Sequence, residues 1–145
     1  MAIKTYSFQE VSATLSHPSL GVLSISGAGA GTIKVSMSTD RTDKQVGSDG
    51  VVVFSKIRDR SGSFTLSIFN TSELHASLKK WYNYLEQAGA DEWALISVSV
   101  TSKSTNEGHK ISGAAFTKLP DSEYDSSAKQ VTWEFIAADV QQNVI

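Results

Sequence analysis

Along most of this chain polar and apolar residues alternate with a period of two, and the period changes once. In FTLSIF, residues 64–69, Phe64, Leu66 and Ile68 share one face while Ser63, Thr65 and Ser67 share the other. That alternation predicts a half-buried strand. After Asn70 the spacing becomes three and four: Leu74, Leu78, Trp81, Tyr82 and Leu85 form one stripe, the signature of an amphipathic helix. Ser72 is placed as its N-cap, Glu73 suits the positive end of the helix dipole, and Gly89 is expected as the left-handed residue that ends it. The opposite face carries His75, Lys79, Lys80, Asn83 and Glu86.

Strands are predicted elsewhere by the same alternation. Residues 5–15 change parity near Gln9 and Glu10, which implies a bulge, and residues 21–26 follow with Leu23 and Ile25 inward. Residues 32–39 place Ile33, Val35 and Met37 on one face and Lys34, Ser36 and Ser38 on the other. A polar loop is predicted over residues 40–50, long for a hairpin, then a strand over 51–58 and a tight turn over 59–62. Residues 94–101 put Ile96, Val98 and Val100 inward against Ser97, Ser99 and Thr101 outward; residues 110–118 and 130–137 complete the set. The expectation is a mainly β protein: one domain over residues 1–145, an antiparallel β-sandwich or barrel of about eight strands, with one packed α-helix covering a face or an end.

Composition narrows the function. The 145 residues carry a net charge of −2, so phosphate-driven nucleic-acid binding is not expected. No apolar run approaches the roughly 20 residues of a membrane span, and the first residues lack the charged and apolar regions of a signal peptide, so no membrane anchor is expected. Cysteine is absent, which excludes disulfides and thiol chemistry. Ser and Thr make up roughly a quarter of the chain, well above a typical domain.

Candidate chemistry is thin. GAGAG, residues 27–31, leads into a strand and lacks a following Gly-Lys-Ser/Thr, so it is a turn and not a phosphate loop. Asp121, Glu123 and Asp125 lack the pattern of a calcium loop. His17, His75 and His109 are scattered and expected at the surface or in turns. Trp81, Trp133, Phe64 and Phe135 fall on inward faces and are expected in the core. No catalytic, metal or cofactor-binding residue is predicted, and nothing supports an enzyme. What stands out is three strands with rows of hydroxyls: Ser36 and Ser38; Ser63, Thr65 and Ser67; Ser97, Ser99 and Thr101. Such rows suit an ordinary wet face, a surface past which something slides, or one that pairs with another subunit.

The stretch VGSDGVVVFSKIRDRSGSFTLSIFNTSELHASL resembles the middle of the tail tube proteins of contractile-tailed phages. The shared elements are Gly47, Asp49 and Gly50, then Ser61 and Gly62, then the cap at Thr71 and Ser72. The C-terminal third is similar through Phe116, Lys118, Pro120, Asp121, Tyr124, Trp133 and Phe135, and the opening TYSFQEVSATLSHP also fits. Glu73 departs from the family by standing where a Pro often follows the cap.

The resemblance implies a structural protein that assembles, in the host bacterial cytoplasm, into stacked hexameric rings of the virion tail. DNA would pass through them without specific binding. Sheath, tape-measure and baseplate initiator proteins are the implied partners, and no cofactor is implied. Under it the hydroxyl rows line the lumen or a subunit interface, with Lys34 near a rim or paired with an acid. Asp40, Arg41, Asp43, Lys44, Gln45 and Asp49 form a loop that reaches the next ring or the neighbouring subunit. The helix lies outside the inner barrel with Lys79 and Lys80 toward sheath or solvent. The same tube in a phage-like bacteriocin or type VI secretion system, and a monomeric ligand-binding β-barrel, are the alternatives.

Overall fold

The computed structural model describes residues 3, 5–7, 11–26 and 30–144. The predicted bulge near Gln9 and the start of the GAGAG turn lie outside them. Among the described residues nine strands and two helices follow in order: β1 (Val11–His17), β2 (Gly21–Ser26), β3 (Ala30–Met37), β4 (Thr42–Val46), β5 (Val52–Lys56), β6 (Gly62–Phe69), α1 (Glu73–Gln87), α2 (Ala90–Trp93), β7 (Ile96–Ser102), β8 (Glu107–Phe116) and β9 (Gln130–Val144). Seven of these strands form one antiparallel sheet in the order β2-β1-β7-β8-β9-β6-β3, and β4 and β5 pair as a separate two-stranded ribbon.

The sheet curls into a half-barrel with its apolar face inside. Val11 on β1 and Ile33 and Val35 on β3, five strands apart in the sheet order, line one cleft of about 480 Å³ with Val100 and His109. Only three residues separate the end of β2 from the start of β3, so at that end the two sheet edges lie at most about 15 Å apart. β2 and β3 nevertheless remain unpaired with each other. The interior holds Phe64, Leu66 and Ile68 of β6, Ile96, Val98 and Val100 of β7, and Trp133 and Phe135 of β9.

Helix α1 lies over this apolar face. Leu78, Trp81 and Leu85 are buried, and Leu74 and Tyr82 pack against the core as partly buried neighbours. Tyr82 meets Phe116 edge-on at 5.6 Å, and Phe116 in turn contacts Trp133 and Phe135. Ser72 Oγ accepts the Leu74 N–H at 3.2 Å, which satisfies one of the helix's unpaired donors. Gly89 does not end the helix as a left-handed residue: its φ is −68°, and the helix stops at an extended Ala88. A Cβ on Gly89 would meet only the Asp91 carboxylate, 2.5 Å away at Oδ1 and free to swing aside, so neither φ nor backbone crowding requires glycine there.

Several expected boundaries move. β1 runs past Leu15 to a buried His17. β9 extends to Val144 because both it and β8 change parity together: Ile111 and Val140 are buried, as are Ala114 and Ala137. The register of β8 against β7 slips at the same level, near Gly113, whose φ is +64°. Such a bulge bends the sheet and hides its continuation from a simple period-two reading.

Residues 40–50 are not a loop. They contain β4, and with β5 they form a hairpin, five residues a strand, exposed along its whole length. Residues 59–62 are not a tight turn between neighbouring strands, since β5 and β6 do not pair with each other. β4 prolongs β3 and β5 leads back into β6, so residues 38–41 and 57–61 are the root of a long arm.

Candidate assembly surfaces

Alternation along the strands sends the small polar residues to the convex face. On β2, β1 and β7, Ser24 opposes Thr14, Thr14 opposes Ser99, Ser12 opposes Thr101 and Ser16 opposes Ser97. They form a neutral hydroxyl patch. The three on β7 were expected from the sequence; those on β1 and β2 were missed, although the parity of Val11, Ala13 and Leu15 already implied them. On β3, β6 and β9 a second patch forms. Ser36 and Ser63 bond through their hydroxyls at 2.7 Å, as do Ser67 and Thr132 at 3.2 Å. Ser38 lies just past the end of β3, exposed.

The predicted hydroxyl residues therefore divide between two patches, with β8 between their strands. The β3-β6-β9 patch also contains charge. Lys34 and Glu134 flank Thr65 from opposite sides, one strand away on each hand, and no ion pair joins them. Of the two expectations for Lys34, a place near a rim or a pairing with an acid, the second is not met by Glu134 within one copy.

The β4–β5 hairpin is the most unusual surface. Directly opposed residues share a face, so Val46 with Val52, Lys44 with Phe54 and Thr42 with Lys56 make one side. Asp43, Gln45, Val53 and Ser55 make the other. Val46, Val52 and Phe54 are 61%, 46% and 67% exposed, an apolar strip bordered by two lysines. Exposed apolar clusters of this kind mark interaction sites. At the tip, Gly50 N–H donates to Gly47 O at 3.0 Å and Asp49 Oδ1 accepts the Val51 N–H at 3.1 Å. Gly50 has φ +86°, which only glycine adopts readily. The Gly47–Asp49–Gly50 spacing noted in the sequence is this tip. Of the loop residues predicted there, Asp40 and Arg41 sit at the root, Asp43, Lys44 and Gln45 on β4 and Asp49 at the tip.

Of the three histidines expected at the surface or in turns, His17 is buried beside the turn after β1, and His75 and His109 are half-buried. His17 is 3% exposed; its Nδ1 accepts the Ser19 N–H at 3.1 Å, which leaves Nε2 to donate to Glu92 O at 2.9 Å. His75, placed by helical periodicity on the outer face, instead accepts the Trp133 indole N–H at Nδ1, 3.1 Å away. Burial, and then the nearby Lys79 charge, hold the His75 pKa below its usual value. His109 Nε2 lies 3.5 Å from Glu107. Among the described residues no three His, Asp or Glu side chains converge on a metal-sized site, and no helix is long and apolar enough to cross a membrane.

Comparison with known proteins adds two findings. The sequence profile of a family described as "Bacteriophage PhiTE tail tube protein" matches residues 3–144. Curated protein sequences show no match. Among solved structures, the fold is similar to a chain of the anti-feeding prophage cap, the "AFP tube terminating cap", with TM-score 0.65, 10% identity, 100% of this chain and 95% of that one covered. It is similar to a chain of the anti-feeding prophage baseplate, with TM-score 0.63, 12% identity and 99% and 98% coverage. It is also similar to a chain of an extracellular contractile injection system, the PVC sheath–tube complex in the extended state, with TM-score 0.58, 11% identity and 97% and 93% coverage.

Proposed function

The chain belongs to the bacteriophage tail tube family, whose members are structural tube proteins and not enzymes, and from that premise we propose that it self-assembles into stacked rings around a hollow axis. The observation that carries this reading is an unfinished surface: among the described residues, a half-barrel with two free edges and a hairpin exposed on both faces, with an apolar strip along one of them. Exposed strand edges invite pairing, and copies that share their sheets remove them. Ring closure is then a head-to-tail contact that closes, and stacking is a second one that does not. Six copies per ring follow the family resemblance.

The hydroxyl patches reach the free edges, one at β2 and one at β3, so a neighbour joined at either edge extends a hydroxyl surface across the boundary. Facing the bore, short neutral hydroxyls stay hydrated without gripping the dense negative charge of DNA, as a lysine-lined wall would. The hairpin bears on the next ring or the neighbouring subunit through Val46, Val52 and Phe54. The outer side of α1, with Lys79 and Lys80, faces sheath or solvent. Assembly takes place in the host cytoplasm, with sheath, tape-measure and baseplate proteins as partners.

Negative-stain microscopy of the purified chain tests the proposal. Rings or tubes of uniform bore are expected, and a strictly monomeric species at millimolar concentration would overturn it. A second reading, the same tube in a phage-derived injection machine, is favoured by the likeness to anti-feeding prophage and PVC chains. Capsid and portal genes beside this one would decide for a phage.

A further inference from the structure

We infer that Asp59 is a positioning residue that sets the angle at which the β4–β5 hairpin leaves the sheet. All ten strand residues of the hairpin are exposed, so no burial of either face holds it in place. Its direction has to come from the root. There, the Met37–Gly62 pair ends one ladder and the Thr42–Lys56 pair begins the next. Four residues, 38–41, separate these pairs on one strand, and five, 57–61, on the other. The root is therefore a bulge with one residue in excess on the returning strand. A bulge bends and twists a ladder and leaves backbone groups unpaired.

Asp59 lies in that excess and bonds to both strands: to one backbone group of the returning strand and to two side chains of the outgoing one. Its Oδ1 accepts the Ser61 N–H at 2.9 Å, and its Oδ2 accepts the Thr39 hydroxyl at 3.3 Å. Its backbone carbonyl accepts from Arg41 Nη1 at 2.5 Å. Backbone bonds from Ser38 N–H to Ser61 O at 3.0 Å and from Ile57 N–H to Arg41 O at 2.8 Å close the two ends of the root, and between them Asp59 ties the outgoing strand, at Thr39 and Arg41, to the returning one. The next residue fastens this knot to the body. Arg60 O accepts the Val140 N–H at 2.9 Å, and its guanidinium Nε lies 2.9 Å from Asp139 Oδ1, an ion pair without hydrogen-bond alignment. Gly62 lets the strands converge there, because a Cβ would collide with Ser36 O and Val140 Cγ2. The Ser61 backbone bond, first among several, draws the Asp59 carboxyl below its usual pKa, so it remains an ionised acceptor.

Lever length makes the root angle consequential. Five residues a strand reach about 17 Å, so a 10° swing moves the tip by roughly 3 Å. Productive contacts tolerate about 0.5 Å. The use of a fixed angle, docking on another copy, rests on the tube reading; the angle itself does not.

Because the chain has no cysteine, the paired changes Ser48→Cys at the tip and Ser112→Cys on β8 accept two spin labels cleanly. Electron–electron distances are then measured on the dilute, unassembled chain. One narrow distribution is expected in the parent, and Asp59→Ala should broaden it about twofold while the thermal midpoint moves by no more than a few degrees. Asp59→Asn, which keeps an oxygen for the Ser61 N–H, should fall between. A parental width in Asp59→Ala, or a parent already as broad as the variant, overturns the inference. If Asp59→Ala does not fold, Thr39→Val removes one arm and must itself broaden the distribution, and a parental width there overturns it too. A chain that never polymerises sinks the tube reading and leaves these distances untouched.

Discussion

The seven-stranded sheet with α1 and the β4–β5 hairpin are both antiparallel β structure, yet they are held by different forces. In the sheet every strand has a neighbour, and one face is closed by Trp133, Phe135, Phe64 and the Leu78–Trp81–Leu85 stripe. The hairpin has a single ladder and no buried residue. Two-stranded ribbons of this kind are marginal alone in water. Here the ribbon is prolonged from β3 and β6 and braced at Asp59. The difference teaches that exposed apolar residues in this chain are not failed core: within one copy Val46, Val52 and Phe54 contribute cross-strand contacts but no burial.

That contrast can be broken in order of effect. Replacing residues 42–56 with a short Gly-Ser linker should abolish tubes while the remaining chain melts within a few degrees of the parent. Normal tubes from that variant would show that the hairpin has no part in assembly. Trp133→Ala should destabilise the body by about 3–5 kcal/mol, whereas Phe54→Ala should change the unassembled chain by no more than about 0.5 kcal/mol. Urea titrations of the two variants below the polymerising concentration check this, and similar losses would erase the distinction between the regions.

Smaller effects sharpen it. Ser72→Ala should cost about 1 kcal/mol by freeing the Leu74 N–H, visible as a lower denaturation midpoint. His75 introduces a pH dependence confined to the body. Its pKa is lower folded than unfolded, near 6.5 when free, so the folded chain prefers the neutral ring. The associated stability is present above about pH 6.5 and is lost as pH falls through the folded value. Protonation also places a proton on Nδ1, where Trp133 donates. Comparing denaturation midpoints at pH 7.5 and 5.5 for the parent and His75→Gln isolates this term. An equal pH response in the two would rule it out.

How much of this was legible in the residues depends on burial. β6 and α1 were placed nearly to the residue, because Phe64, Leu66, Ile68 and the Leu78–Leu85 stripe each bury one side, and a periodic pattern records one-sided burial. β4 left no such record: Thr42, Asp43, Lys44, Gln45 and Val46 are exposed on both faces, so its alternation had no reason to exist. Asp59 passed for a turn residue because its partners, Thr39 and Arg41, are 20 and 18 residues away. His75 was assigned outward by helical spacing alone, since only packing against β9 brings Trp133 to it.

Local pattern alone determined that this is a β protein with one amphipathic helix, which residues fill its interior, and that many strand residues turn small hydroxyls outward. Those features follow from side-chain periodicity and capping, which act over a few neighbouring residues. The strand order, the two free edges, the division of the hydroxyls into two patches, and the hairpin with its bulged root were decided by the tertiary structure. They depend on pairing between segments far apart in the chain, where register and curl settle which faces meet and no short stretch of residues holds the answer.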